Sequence, residues 1–551
     1  MPSSAHPVPR TLPWMFLLCL LGNASASLGA TAEFHAGPSV ARAGDRRLLE
    51  GLYVHRQDDA LLWSRAGRAT LQARTFLGVL QSVASYGLRP EDYDAAELAA
   101  GTTALESRPA GAADWRRYDL ALSSAALALV RDLHYGRIDP HAAGFDMPLR
   151  AEGFDAAALV ERLAAGADPA AVLASIEPGY LHYRLLRQSL ARYRNLADAP
   201  ALPALPPLPH RSVKPGEPYE GAAALRRRLA AMGDLPTEQA SLPDELLDDG
   251  LVTALKRFQS RHGLAEDGAL GAATLSALRV PFAQRVRQIE LTLERWRWVP
   301  PLRPPTVIVN IPAFRLYLIR TAVDDEADML RMNVIVGRRY PQLHTPVFTA
   351  DMTAVLFRPY WDVPPSIVRH ELLADLRKDP HYLEDHDMEL ASNGTGASAS
   401  SLSATPENLA ALAAGRLRLR QLPGADNALG LIKFDLPNRY DVYLHSTPAQ
   451  RLFAEPLRAF SHGCIRVSDP VALATEVLRG TPGEWTPEKI SAAMNGQATF
   501  RVMLAHPVHV LILYGTAVAT QDGAVHFLND IYGQDRRLET LLGLRPIAPR
   551  P

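Results

Sequence analysis

The sequence predicts a multidomain α+β protein: a helical N-terminal scaffold, a small three-helix module, and a mainly-β C-terminal domain with a lid-like insertion. Three observations predict it. Residues 33–199 are rich in Ala, Leu and Arg, with apolar side chains at helical spacing. Two proline clusters, within residues 200–209 and 300–305, punctuate the chain. Beyond the second cluster the pattern changes to short β-branched and aromatic runs. A length of 551 residues suits about three domains, and an apolar content of 47% is enough for real cores. The formal charge of −1 gives bulk electrostatics no preference for nucleic acid or an anionic membrane. No nucleic-acid partner is expected, and other partners must be argued from sites.

Residues 1–26 read as an export signal. Arg10 supplies a positive charge, residues 14–21 (WMFLLCLL) a short apolar run, and Ala24-Ser25-Ala26 a cleavage pattern. The run is shorter than the ~20 apolar residues of a typical span. A cleaved signal is expected; an uncleaved anchor in the inner membrane is the alternative. Leu18 is too bulky before Cys19 for a lipoprotein signal.

In the scaffold domain, Leu122, Ala125, Ala126, Leu129 and Leu133 fall on one helix face. Residues 86–90 (YGLRP) form a helix stop, with Gly at the end and Pro beyond. Residues 200–214 read as a semi-rigid Pro-rich linker. Residues 215–280 form the small module: an amphipathic helix over 251–262, a stop at Gly263, a turn at Asp267-Gly268 and a short helix over 271–278. Residues 281–305 are a further helix and linker, ending in Arg295-Trp296-Arg297-Trp298. Aromatic packing between domains is expected there rather than a cation–π surface.

Residues 306–515 form the β domain. Strands are expected at 306–311 (TVIVNI), 314–319 (FRLYLI), 332–336 (MNVIV), 440–444 and 508–514. Between them, residues 366–422 read as a more helical, polar insertion whose centre, 391–404, is Ser/Gly/Ala/Thr-rich. Such an insertion acts as a lid or substrate loop, or is a tolerated surface excursion. Residues 516–551 are a C-terminal extension.

Of two cysteines, Cys19 lies in the expected signal, leaving Cys464 alone. A lone thiol is either a buried, inert side chain or a reactive one. Its neighbours favour reactivity. They read Ser461-His462-Gly463-Cys464-Ile465-Arg466, with Tyr443-Leu444-His445-Ser446-Thr447 upstream. A thiol with a reference pKa near ~8.5 needs a base, which an imidazole supplies. Gly463 permits a tight turn, amides near the nucleophile suit an oxyanion, and Arg466 can pair with a carboxylate. His462 and His445 compete for the base role on sequence alone. A zinc site built from the same residues lacks CxxC or HExxH spacing, so no metal or cofactor is expected.

SHGCIR with the upstream YLHST closely resembles the L,D-transpeptidase (YkuD) catalytic domain. Residues 215–280, through the series Phe258, Gln259, Gly263, Leu264, Asp267, Gly268, Gly271 and Thr274, resemble the peptidoglycan-binding domain 1 family. With the helical scaffold, residues 420–430 (RQLPGADNALG), Lys433-Phe434, Pro437-Asn438, Pro359-Tyr360-Trp361 and Val363-Pro364, the chain resembles the large, YcbB-type branch. Arg358 and Asp362 depart from that pattern, which has Asn at both places.

The resemblance implies Cys464 as nucleophile, His445 as general base and acid, and the Ser446 carbonyl orienting His445. Amides of Gly463 and Cys464 would form the oxyanion hole, with His462 near it. Arg466 would support the site and hold a donor carboxylate. Tyr360, Trp361 and Tyr443 are candidate pocket residues, with core packing an equal reading. The implied reaction is 3→3 crosslinking of peptidoglycan by a periplasmic enzyme through a thioester. The implied partners are stem peptides, glycan and other cell-wall synthesis enzymes. Same-site L,D-carboxypeptidation, lipoprotein attachment to the wall and a non-catalytic wall-binding scaffold are the alternatives.

Overall fold

The computed structural model describes residues 45–547 except 55, 57–59, 149, 151–152, 242–244, 322–325, 393–401 and 546. The expected signal at 1–26 lies outside the described residues, as does most of the insertion centre at 391–404. Among the described residues, no helix is long and apolar enough to cross a membrane.

The N-terminal region is helical, with one short ladder of β1 (Ser64–Arg65) and β2 (Arg68–Ala69). Its longest helix, Ala112–Tyr135, buries the predicted face completely: Leu122, Ala125, Ala126, Leu129 and Leu133 are at most 1% exposed. Asp119 on the same helix is fully buried. Its carboxylate accepts from the Tyr53 hydroxyl (2.6 Å), the Leu62 and Trp63 amides (2.8 Å each) and the Ser64 hydroxyl (3.0 Å). Those four donors replace the water a buried carboxylate loses.

The last helix expected in this domain, Leu181–Asp198, packs elsewhere. Tyr183, Leu186, Leu190 and Tyr193 join the core beneath the large sheet, against helix Phe282–Arg297. Trp296 and Trp298 on that second helix contact Tyr180 and Phe145, so the Arg-Trp-Arg-Trp end is an interdomain joint.

The proline-rich stretch at 200–214 is a strap rather than a free spacer. Leu205 is buried in the module core. The Tyr219 hydroxyl donates to Pro206 O (2.8 Å), and β3 (Ser212–Val213) pairs with β4 (Leu270–Gly271). The module holds helices Ala222–Met232, Asp249–Arg261 and Ala272–Arg279. The middle one starts where the Asp248 carboxylate accepts from the Leu251 amide, the usual N-cap arrangement.

The C-terminal domain is built on β5 (Thr306–Asn310), β6 (Arg315–Ile319), β7 (Met329–Gly337), β8 (Thr349–Phe357), β9 (Trp361–Asp362), β10 (Met388–Ser392), β11 (Leu417–Gln421), β12 (Ile432–Asp435), β13 (Leu444–His445), β14 (Ala459–Ser461), β15 (Ile465–Val467) and β16 (Phe500–Leu513). Nine of them form one sheet in the order β14-β7-β15-β13-β12-β8-β16-β5-β6. An additional β7–β6 pairing closes it into a ring. Closure pairs the edge of β6 with β7, leaves β14 as an edge strand on β7, and encloses an apolar interior.

The strand expected at 440–444 shrinks to β13. The Asn438 side chain accepts from the Tyr440 and Val442 amides and donates to Leu436 O and Val442 O, taking groups a ladder would need. Asp441 adopts φ 53° within that turn. β8, β12, β14 and β15 were not anticipated from sequence.

The insertion carries several short helices together with β10 and β11, which with β9 form a separate three-stranded sheet. Leu390, Leu409, Leu412 and Leu419 anchor its own small core. The C-terminal extension carries β17 (Ala517–Ala519), β18 (Val525–Phe527) and helix Gln534–Leu541. Val525, Phe527 and Leu538 bury in the barrel core, so this segment is part of the same domain.

Candidate active site

Strand alternation places the chemistry. β13 and β15 run parallel, with Leu444 opposite Ile465 and His445 opposite Arg466. β12 lies antiparallel on the other side, with Lys433 opposite His445. Successive side chains leave opposite faces. Leu444, Ile465 and Phe434 therefore fill the barrel, each fully buried. Lys433, Tyr443, His445, Cys464 and Arg466 share the outer face, and all five line one cavity of about 740 Å³. Its other wall is the insertion: Trp361, Asp362, residues 363–368, Leu412, Leu417, Arg418 and Leu419.

His445 is 3% exposed, and its Nδ1 lies 2.6 Å from Ser446 O. A carbonyl only accepts, so Nδ1 carries the proton and Nε2 keeps its lone pair. Burial, with Arg466 and Lys433 adding repulsion, pushes the His445 pKa down to about 3. The ring is neutral at physiological pH. Cys464 is half-buried, and its Sγ–H reaches Asp441 O at 3.7 Å. Burial raises the thiol, only partly offset by hydrogen bonds from Tyr443 and by Lys433 and Arg466. Burial and Cys464 hold the Tyr443 hydroxyl well above its usual range. The resting site is therefore a neutral thiol beside a neutral imidazole.

The loop carrying the thiol is tied at several points. Gly463 has φ 121°, a conformation that L side chains rarely adopt. Its amide, expected at an oxyanion hole, instead donates to Ser461 Oγ (3.1 Å), so that hydrogen is committed within the turn. The Ser461 hydroxyl donates in turn to Cys464 O (2.5 Å). The main-chain donor left at the nucleophile is the Cys464 amide.

His462 lies beside the cavity, but its Nε2 meets Glu371 Oε1 of the insertion at 2.7 Å. The ring is engaged by the roof and not by the thiol. The buried Nε of Arg466 has no hydrogen-bond partner. Trp361 and Tyr443 line the cavity, whereas Tyr360, just before β9, does not: its ring stacks under the Arg420 guanidinium at 4.4 Å.

Sequence reasoning did not single out Lys433, Asp441 or Glu371 as site residues. Lys433 Nζ sits 4.1 Å from the Tyr443 ring centroid and 3.3 Å from Asp435. The polar Lys433 and Asp435 alternating with Ile432 and Phe434 was the available signal. Asp441 contributes only its carbonyl, and Glu371 arrives from 91 residues away, so neither had a local signature. Among the described residues, no group of three His, Cys, Asp or Glu is placed to hold a metal ion.

A ring-closed β domain presenting a carbonyl-oriented histidine on one strand and a cysteine at the start of the adjacent parallel strand fits a cysteine acyl-transfer class of site. Comparison with known families makes this specific. Residues 304–484 match the model of the L,D-transpeptidase catalytic domain (YkuD). Residues 219–278 match that of the "Putative peptidoglycan binding domain" (PG_binding_1), and residues 47–190 that of a scaffold domain. The chain thus contains a YkuD L,D-transpeptidase catalytic domain and a peptidoglycan-binding domain 1 module. A Haemophilus influenzae protein described as "Putative L,D-transpeptidase" is 30% identical over 254 residues, 46% of this chain and 49% of that protein. The chain spans about half the length of this curated relative.

Proposed function

We propose that the protein is an exported, periplasmic L,D-transpeptidase that forms 3→3 peptidoglycan crosslinks through a thioester on Cys464. The observation that carries this reading is the His445 ring. It is oriented by Ser446 O through Nδ1, on the same face and in the same cavity as the thiol.

The neutral resting pair sets the order of events. As Cys464 Sγ attacks the carbonyl of the L-centre of a diamino acid in a tetrapeptide stem, its proton passes to His445 Nε2. The carbonyl oxygen becomes an oxyanion facing the Cys464 amide. Collapse breaks the C–N bond, and the departing D-Ala amine takes the proton back from the imidazolium. The side-chain amine of a second stem then attacks the thioester. His445 removes its proton and returns it to the leaving thiolate. Arg466, with its unpartnered Nε, and Lys433 supply the positive side of the cavity for stem carboxylates. The peptidoglycan-binding module would hold glycan near the cavity.

Two measurements test the reading. Intact mass should show one covalent carbapenem adduct on the wild type and none on Cys464→Ala. Muropeptide analysis of tetrapeptide-bearing sacculi should show new 3→3 dimers. Tripeptides accumulating without dimers would replace the transpeptidase with a carboxypeptidase, and attachment of a lysine amine would assign lipoprotein anchoring. No adduct on a reduced thiol would leave a non-catalytic wall-binding protein.

A further inference from the structure

We infer that Thr345, outside the cavity and remote in sequence from the Cys464 loop, is the positioning residue that aims the oxyanion donor. The inference rests on the acyl-enzyme reading above and deepens it.

Thr345 is 2% exposed, and its hydroxyl sits between two backbone groups. The Gly337 amide donates to Thr345 Oγ1 at 2.9 Å, and Thr345 Oγ1 lies 2.8 Å from Gly463 O. An amide N–H only donates and a carbonyl only accepts. The single hydroxyl hydrogen must therefore point at Gly463 O. That carbonyl belongs to the same peptide unit as the Cys464 N–H. In a planar trans peptide the C=O and N–H point in opposite directions. Pinning Gly463 O on the Thr345 side turns the Cys464 N–H to the other side.

This pin matters because the loop is otherwise free to rotate there. Gly463, at φ 121°, is the residue type with the widest backbone freedom. Its amide and the Cys464 carbonyl are both tied to Ser461, but neither bond sets the plane of the peptide between them. Thr345 sets that plane.

Thr345 is itself braced. The Tyr532 hydroxyl donates to Gly337 O at 2.6 Å and accepts from the Thr345 amide at 3.3 Å. The Tyr532 ring stacks on His344 with centroids 3.8 Å apart. The chain from residue 337 to 345 folds back so tightly that a Cβ on Gly337 would lie 2.0 Å from Leu343 O. Tyr532 belongs to the C-terminal segment beyond residue 484, where the catalytic-domain match ends. That segment therefore reaches the reaction through the relay Tyr532, Gly337, Thr345 and Gly463.

Two reactions of the same thiol separate this role from a structural one. Acylation by a carbapenem forms an oxyanion; alkylation by iodoacetamide forms none. Thr345→Val keeps the shape and removes the hydroxyl. We expect its carbapenem acylation rate to fall about 10- to 100-fold, a fraction of what loss of a whole donor costs. Its iodoacetamide rate should stay within about 2-fold, and Thr345→Ser should recover acylation. Equal acylation by Thr345→Val and wild type overturns the inference, and so does an equal loss in both reactions. If Thr345→Val does not fold, Tyr532→Phe must show the same split at about 3-fold, and its absence overturns the relay. A wild type that is alkylated but never acylated would instead refute the acyl-enzyme reading.

Discussion

The floor and the roof of the cavity are built on different principles. The floor is the barrel wall. Lys433, His445 and Arg466 stand on three paired strands, and Tyr443 and Cys464 directly before two of them, with the alternate residues locked in the main core. The roof is the insertion, a three-stranded sheet with a small core of its own. Side-chain contact to the nucleophile loop includes the His462–Glu371 pair, which is 26% and 42% exposed. Apolar burial stabilises in proportion to area, and a half-exposed ion pair adds little. The candidate catalytic groups thus stand on the region with the larger core, and the smaller core of the roof predicts that it opens at lower cost.

The sharpest test of this division is on the floor. His445→Gln should lower the acylation rate about 10³-fold, near the middle of what removing a general base costs, with the fold intact by circular dichroism. The wild-type rate should also be flat from pH 5 to 8, because burial holds His445 neutral down to about 3. An acid limb near 6.5 would mean that the ring is solvated and the floor less rigid than described. Stability follows the same sign. The folded His445 pKa lies below its unfolded value, so its contribution is present above about 6.5 and is lost as pH falls toward 3.

A smaller effect separates the two cores. Leu419 is fully buried in the roof, and Leu419→Ala should cost that unit about 2–5 kcal/mol. Amide exchange should rise across 361–421 and stay unchanged in β12, β13 and β15. Coupled loss of protection in the barrel strands would show that floor and roof unfold as one. The smallest effect belongs to the link between them. Glu371→Gln should change the carbapenem rate by about 2- to 5-fold, as expected for a half-exposed pair. A change as large as that of His445→Gln would place His462 in the chemistry.

Much of the fold was legible because it depends on local periodicity. The helix face at 122–133, the module's helices and the strands at 306–311, 314–319 and 332–336 follow directly from side-chain spacing. The strands that failed to announce themselves are short or mixed. β14 and β15 have three residues each, too few to show alternation. β8 alternates only weakly, and both of its edges are paired in the ring. The assignments of helix Leu181–Asp198 and of the C-terminal segment to the barrel core depended on which amphipathic faces meet, which spacing alone does not specify.

At the site, the sequence by itself offered a candidate nucleophile, Cys464, and two candidate imidazoles, His445 and His462, because SHGCIR and YLHST place rare, reactive groups beside a glycine turn. Only the tertiary structure decided how they are used. Parallel pairing of β13 with β15 put His445 and Cys464 on one face. The Ser446 carbonyl chose the imidazole tautomer, and Glu371 drew His462 away. Ser461 took the Gly463 amide, leaving that of Cys464. Each of these depends on where a backbone carbonyl or amide points, and that direction is set by residues distant in the chain.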